Sequence, residues 1–443
     1  DDVNLPLGTL VSAVSAGQSV TIRGDYAGAL GDERDVNIGT TITVEGDVQA
    51  PTVHIMGGAE IDFIQLIGSN GINAGGATYL QGNGADDRFF VQGSPNDITL
   101  QGGVGADRYY LSSNAAKDLF MAGGFYDDDS TDPFDLLTGT LDTFDATITV
   151  ETGAGGNGTR DVVHASTSGS TASVSGLVDH NLASDTDSLS GLGMSGQIDV
   201  SVPDGQTAFL HVALGSAGDT FQVKGLGERL VAEIFGRQGQ DALHVGNDSD
   251  SLTGISGIVA FHGGDDTDTL DVYGDATAPA DADSGIDPDQ LTGIGVYGLG
   301  MGTNALFSTH DRFGAGFDDN LGAAYPGAVY FATRTITNDV STIDSDVEAV
   351  NVHLGAGHDT FVVDSVSPIG LTSVLGGAGN DTLTASSTAT GLHPNSTTRV
   401  DFIDGQLVLD GQGDTNTIVL DDSGDDDINT GTYLGTTVSG LDM

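Results

Sequence analysis

The sequence contains no cysteine and no tryptophan. Without thiols there are no disulfides, no thiolate metal centres and no cysteine nucleophile. Basic residues are scarce as well. Twelve Lys and Arg stand against 64 Asp and Glu, giving a formal net charge of −52. That balance argues against nucleic acid as a partner, because phosphate binding requires clustered cationic side chains. No apolar run approaches the roughly 18 residues of a membrane-spanning helix, so no membrane span is expected. There is no signal-peptide pattern, and the sequence opens on Asp1 rather than Met, which points to processing or to a longer parent chain. A sustained 3.6-residue period is missing too. The best helical candidate, Gly227–Phe235, reads equally well as a strand.

What is present is glycine, aspartate and short β-branched runs. Gly and Pro make up about 18% of the chain and hydrophobic residues 38%. The Gly and Pro share falls below the roughly 25–30% of low-complexity chains, so the sequence reads as folded. Val20–Ile22, Ile42–Val44, Phe361–Val363 and Leu407–Leu409 read as short strands between turn residues.

A repeat organises these pieces. Gly376-Gly377-Ala378-Gly379-Asn380-Asp381-Thr382-Leu383-Thr384 fits the nonapeptide G-G-x-G-x-D-x-U-x, where U is a large apolar residue. The same frame, less complete, begins at Gly57, Gly82, Gly102, Leu214, Gly236, Gly263, Leu354 and Gly411. Its sixth position holds Asp62, Asp87, Asp107, Asp219, Asp241, Asp268, Asp359 and Asp381, with Asn416 as the exception. Its eighth holds Ile64, Phe89, Tyr109, Phe221, Leu243, Leu270, Phe361, Leu383 and Ile418. The acidic position recurs mostly at steps that suit one coil of a β-solenoid, in which stacked coils bury a continuous core. The eighth residue should therefore point inward.

A second marker divides the chain. Gly191-Leu192-Gly193-Met194 and Gly298-Leu299-Gly300-Met301 are matched by Gly440-Leu441-Asp442-Met443. Three modules follow, over 1–194, 195–301 and 302–443, the last with an insertion near Phe307–Ala332. The fold class is all-β: repeated modules of stacked β-coils, a parallel β-helix or β-roll, with hairpin-like insertions.

Within the nonapeptide, glycine permits positive φ and close backbone approach. The Asp can brace the turn through its side chain or ligate a hard cation. Stacked coils would bring these carboxylates into a row, and Ca²⁺ suits such a row because it takes six to eight oxygen ligands. On these residues the chain resembles the RTX (repeat-in-toxin) calcium-binding proteins, and more loosely the long repetitive surface proteins of bacteria. The resemblance implies a parallel β-roll, export from the cell and folding promoted by extracellular calcium. It implies Asp62, Asp87, Asp107, Asp219, Asp241, Asp268, Asp359 and Asp381 as metal ligands. Unlike tandem RTX repeats, the units here are separated by other residues.

Other polar residues read more plainly. His54, His211 and His353 precede repeat turns and read as packing residues, with no H-E-x-x-H spacing. Arg88 and Arg108 adjoin the turn aspartates as local counter-charges. A polysaccharide lyase or epimerase would need converging cations to neutralise its acidic substrate, and the few Lys and Arg are dispersed. The expected function is therefore non-enzymatic: an extracellular or cell-surface structural protein of a surface layer, matrix or filament, calcium-stabilised. The alternative is an adhesin or carbohydrate-binding module engaging a surface or matrix polysaccharide. End-to-end self-association is expected, because no polar cap is evident at the C-terminal end and Leu5, Leu7, Leu10 and Val11 form an apolar N-terminal segment.

Overall fold

The computed structural model describes residues 2–13, 15–24, 39–68, 72–74, 76–122, 125–126, 133–153, 160–274, 289–304, 325–326, 328–337, 340–387, 398–425, 429–441 and 443. Nearly all of its regular structure is β, in long sheets of parallel strands stacked as in a β-solenoid. The described chain packs as two compact units, Asp1–Asp219 with Arg229–Arg237, and Thr220–Glu228 with Gln238–Met443. Much of the segment expected as an insertion near Phe307–Ala332 lies outside the described residues.

In the first unit one sheet runs Val3–Leu5, Thr41–Val44, Phe63–Leu66, Arg88–Val91, Arg108–Leu111, Asp161–Ser166, Ala208–Ala213 and Leu230–Phe235, parallel throughout. The segment that could have been a helix is thus mostly strand. A second sheet stacks Ser19–Arg23, Thr52–Met56, Thr78–Gly84, Ile98–Val104, Thr147–Glu151 and Gln197–Ser201 in parallel. A short third sheet joins Leu10–Ser12, Asp47–Ala50 and Ile72–Ala74. In the second unit, Thr220–Val223, Ala242–Val245, Thr269–Tyr273, Ala349–His353, Leu371–Leu375 and Gln406–Asp410 form one parallel sheet. Thr360–Val363, Thr382–Ala385 and Thr417–Leu420 extend the other.

The core follows from the repeat. Alternate strand residues share a face, and the eighth position of the frame faces inward in register from coil to coil. Ile64, Phe89 and Tyr109 are direct neighbours, as are Phe221, Leu243 and Leu270. All are at most 2% exposed, and so are Phe361 and Leu383. Phe89 and Tyr109 stack with ring centres 5.0 Å apart. In the first unit a second apolar cluster covers the outer face of the sheet. Phe90 and Tyr110 lie under Phe120, Phe134 and Leu137 from the excursion after Leu111.

Ile418 is the exception, at 52% exposed, because no coil follows Thr417–Leu420 among the described residues. The contrast is measurable. Leu383→Ala should cost roughly 2–5 kcal/mol in urea unfolding. Ile418→Ala should cost under about 1 kcal/mol. Equal losses would mean that the inward register has been misassigned.

Candidate functional site

The sixth-position carboxylates form a ladder. Oδ1 of Asp87, Asp107, Asp268 and Asp381 accepts the backbone N–H of the sixth-position residue one coil earlier. Asp87 accepts from Asp62 at 2.7 Å, and Asp107 from Asp87 at 2.8 Å. Asp62 accepts from Thr40, and Asp219 from Val174. In the second unit Asp268 accepts from Asp241 at 2.8 Å and Asp381 from Asp359 at 3.1 Å. Each side chain thus caps an amide that the turn removes from the strand ladder, a group that would otherwise be buried without a partner.

Two further rungs escaped the sequence frame. Asp161 accepts from Asp107 at 2.8 Å, and Glu348 Oε2 accepts from Asp268 at 2.8 Å. Gly153, whose N–H donates to Asp161 Oδ2 as Gly58 N–H does to Asp62, stands eight residues before Asp161 rather than four, while Glu348 reaches the equivalent amide with a longer side chain and no glycine in the five residues before it. The only signal for either was an acid two residues before an apolar strand residue. Thr40 occupies the equivalent place before Thr41–Val44 and is fully buried.

The first glycine of the frame exists because of the carboxylate. A β-carbon at Gly263 or Gly376 would stand 2.5 Å from Oδ2 of Asp268 or Asp381, and closer still to its Asp at Gly57, Gly82 and Gly102. The second and fourth glycines serve the backbone. Gly377 and Gly379 have φ of +89° and +133°. Ala85, Arg237 and Asp266 hold equivalent positions at φ between +70° and +84°, a conformation that costs non-glycine residues about 1–2 kcal/mol. The Leu214 and Leu354 units lack the first glycine, and both leucines are buried. In the former, Gly215 N–H donates to Asp219 Oδ2 at 2.8 Å, as Gly58 N–H does to Asp62 Oδ2 in the Gly57 unit.

The second carboxylate oxygen carries the electrostatic load. Oδ2 of Asp87, Asp107, Asp268, Asp359 and Asp381 is buried and accepts no hydrogen bond within the chain. Burial pushes Asp87 up to about 9 and Asp107 to about 7, with neighbouring carboxylates adding to the rise. Asp161, Asp268 and Asp359 rise to about 6, again chiefly through desolvation. Tyr109, fully buried beside this row, is pushed upward by burial and by Asp161 and Asp107. Arg88 donates to the carbonyl oxygens of Asp86, Asp87 and Ala106 at 2.7–3.1 Å, and its charge partly offsets the rise at Asp87 and Asp107. Arg108 donates to the carbonyls of Asp107 and Arg160.

Asn416 shows what the rung requires. Its Oδ1 accepts from Asp381 N–H at 2.7 Å, and its Nδ2 donates to the carbonyls of Gly411 and Gly413, both at 2.6 Å. An amide thus fills both roles without charge. A second ladder, unforeseen in the sequence, uses the fifth position in the opposite sense. Asp86 Oδ1 accepts from Ala106, His358 Nδ1 from Asn380, and Asn380 Oδ1 from Thr415.

The histidines do not share one environment. His54 stacks on Tyr79, His353 stacks on Tyr273, and His211 is buried with Nε2 3.5 Å from Glu233 Oε2. Among the described residues the acids drawn together as a group of three are Asp401, Asp422 and Asp425, outside the ladder. That group is braced locally. Asn429 donates to Asp422 and Asp425, and Arg399 lies 3.5 Å from Asp401.

The pKa shifts set a pH dependence. A carboxyl whose folded pKa is raised contributes stability that is complete below its unfolded pKa near 3.8 and is lost as pH rises through the folded value. In chelator, the unfolding midpoint should therefore climb as pH falls from about 9 toward about 5. Asp87→Asn should flatten that slope and raise the midpoint at pH 9, while Asp87→Ala should lower stability by about 1–3 kcal/mol at any pH. An Asn variant no better than the Ala variant would contradict the capping role.

No known protein family matches this chain, and neither a curated protein nor a solved structure does.

Proposed function

We propose that this chain is a structural repeat element of an extracellular assembly, a surface layer, matrix or filament, stabilised by calcium. The observation that carries the reading is the buried row of in-register carboxylates. Such a row builds rigid, repetitive backbone and places no reactive group at the surface. Its charge is a liability at neutral pH that a divalent cation would relieve. The unpartnered Oδ2 atoms of Asp87, Asp107, Asp268, Asp359 and Asp381 are hard oxygen donors of the type calcium takes. The net charge of −52 adds a general repulsion that cations would screen.

The cationic side chains support a non-enzymatic role by their dispersal. Arg229 pairs with Asp185 and Asp204, Arg237 with Asp135, and Lys224 with Asp248. Each serves a local loop, and those three sites share no partner. A substrate carboxylate would need several of them on one surface.

Calcium dependence is tested by thermal unfolding at fixed pH and ionic strength, with calcium against excess chelator. A ligand that binds the folded state alone adds about 2.7 kcal/mol at a hundredfold excess over its Kd. The midpoint should rise steadily with calcium concentration, and Asp107→Asn should weaken that rise. Identical midpoints in calcium and chelator would remove calcium from the account.

A further inference from the structure

The seventh position of the frame differs between the two units. It holds Arg88 and Arg108 in two coils of the first unit. In the second unit it holds only alanine and threonine, at Thr220, Ala242, Thr269, Thr360, Thr382 and Thr417. Arg88 Nη1 donates to three carbonyl oxygens, that of Asp86 at 2.7 Å and those of Asp87 and Ala106 at 3.1 Å. Arg108 repeats the contact one coil on, reaching the carbonyls of Asp107 at 3.4 Å and Arg160 at 3.0 Å. In the frame these are the carbonyls of the fifth and sixth residues and of the fifth residue of the next coil. Together they form a notch on the turn, and a cationic group sits in it.

Three hydrogen bonds aim the notch oxygens. A peptide unit is planar and trans, so its C=O points away from its N–H. The fifth carbonyl is therefore aimed by whatever holds the sixth N–H. Asp87 N–H donates to Asp107 Oδ1 and Asp107 N–H to Asp161 Oδ1, both at 2.8 Å, which sets the carbonyls of Asp86 and Ala106. The carbonyl of Asp87 accepts Arg108 N–H at 2.9 Å, and its second lone pair remains for Arg88.

The same three bonds recur twice in the second unit. Around Asp359 they run from Asp359 N–H to Asp381 Oδ1, from Asp381 N–H to Asn416 Oδ1 and from Thr382 N–H to the Asp359 carbonyl, at 2.7–3.1 Å. Around Asp241 they run from Asp241 N–H to Asp268 Oδ1, from Asp268 N–H to Glu348 Oε2 and from Thr269 N–H to the Asp241 carbonyl, at 2.8–2.9 Å. One notch is thus built from the carbonyls of His358, Asp359 and Asn380, the other from those of Gln240, Asp241 and Thr267. The seventh residues there, Thr360 and Ala242, carry no charge. Oδ2 of Asp359 accepts no hydrogen bond among the described residues, so its turn keeps a negative field.

We propose that the turn notch is a cation site, filled by the chain's own guanidinium at Arg88 and Arg108 and by a calcium ion at the Asp241 and Asp359 turns. Carbonyl oxygens are hard donors, and water completes the six to eight ligands that calcium takes. A set with so few protein ligands binds weakly, in the range of about 10⁻⁴–10⁻³ M found for extracellular modules. The ligands are backbone oxygens on the turn, whereas the row of buried carboxylates offers side-chain oxygens. The seventh residue is the selector. Arginine there closes its notch to calcium, and threonine or alanine leaves the notch to the ion. The inference rests on the calcium reading above, but it assigns calcium to two named turns.

Exchange of the seventh residue provides the test. Urea unfolding of the full-length chain is followed across a calcium series that starts from chelator. The slope of stability against the logarithm of calcium concentration counts the ions released on unfolding. Arg88→Thr should steepen the slope by one ion. Ala242→Arg combined with Thr360→Arg should flatten it by two and raise the stability in chelator. Thr360 is exposed and Ala242 half-buried, so the new side chains have room. Ala242→Gln combined with Thr360→Gln, long but uncharged, should keep the parent's slope. Whichever of the two exchanges involving arginine retains the parent fold decides the matter. An unchanged slope there, with calcium still stabilising the parent, overturns the notch and leaves calcium on the carboxylate row. No effect of calcium on the parent or on Arg88→Thr overturns both.

Discussion

A carboxylate buried between stacked parallel coils is the interaction on which the rest of this structure depends. The repeat turn takes a backbone amide out of the strand ladder, and that amide needs an acceptor. The side chain from the next coil supplies it, so each coil is completed only when its successor is in place. Asp62, Asp87, Asp107 and Asp161 form one such chain of dependencies, and Asp359, Asp381 and Asn416 another. The second oxygen of each carboxylate comes along at an electrostatic penalty: burial, with Asp107 and Asp62 close by, pushes Asp87 up to about 9, whereas Asp161, which also accepts from Gly153 N–H, rises only to about 6. Protons, cations or an amide can each relieve that load. The chain itself uses the last solution at Asn416.

The same dependence gives the fold a direction. In each of these rungs, with Glu348 Oε2 in place of an Oδ1 in one, the acceptor reaches back to the amide of the coil before it, so a coil with no successor lacks a cap for its own turn. The hairpin of Asp289–Thr292 with Gly295–Tyr297 joins two stacks, because it pairs antiparallel with Ala328–Tyr330 on one side and parallel with Thr360–Val363 on the other. In the marker tetrapeptide Gly191, Gly298 and Gly440 are required by sign of φ and by proximity: a β-carbon at Gly191 or Gly440 would strike the carbonyl of Ser175 or Thr430.

Much of this architecture was legible in the sequence because a turn repeated in register imposes the same residues at the same spacing. The inward eighth position followed from strand alternation, and burial of Phe221, Leu243, Phe361 and Leu383 agrees. The marker tetrapeptide was visible, but its meaning was not. Nothing local in Gly191–Met194 tells that the preceding strands turn antiparallel within a parallel sheet. Asp161 and Glu348 were missed because the frame was read through its glycines, whereas the structural requirement is the acceptor. The partner of each sixth-position Asp was also invisible, since in the rungs between repeat units described above it lies 20 to 35 residues away along the chain.

Hydrogen exchange at the backbone amides of Asp62, Asp87 and Asp107 tests the central claim most directly. If buried carboxylates cap these amides, they exchange as slowly as the adjoining strand amides, and Asp87→Ala releases the amide of Asp62 selectively. Exchange of all three in the parent protein at the rate of the solvated turn residues beside them would contradict the account.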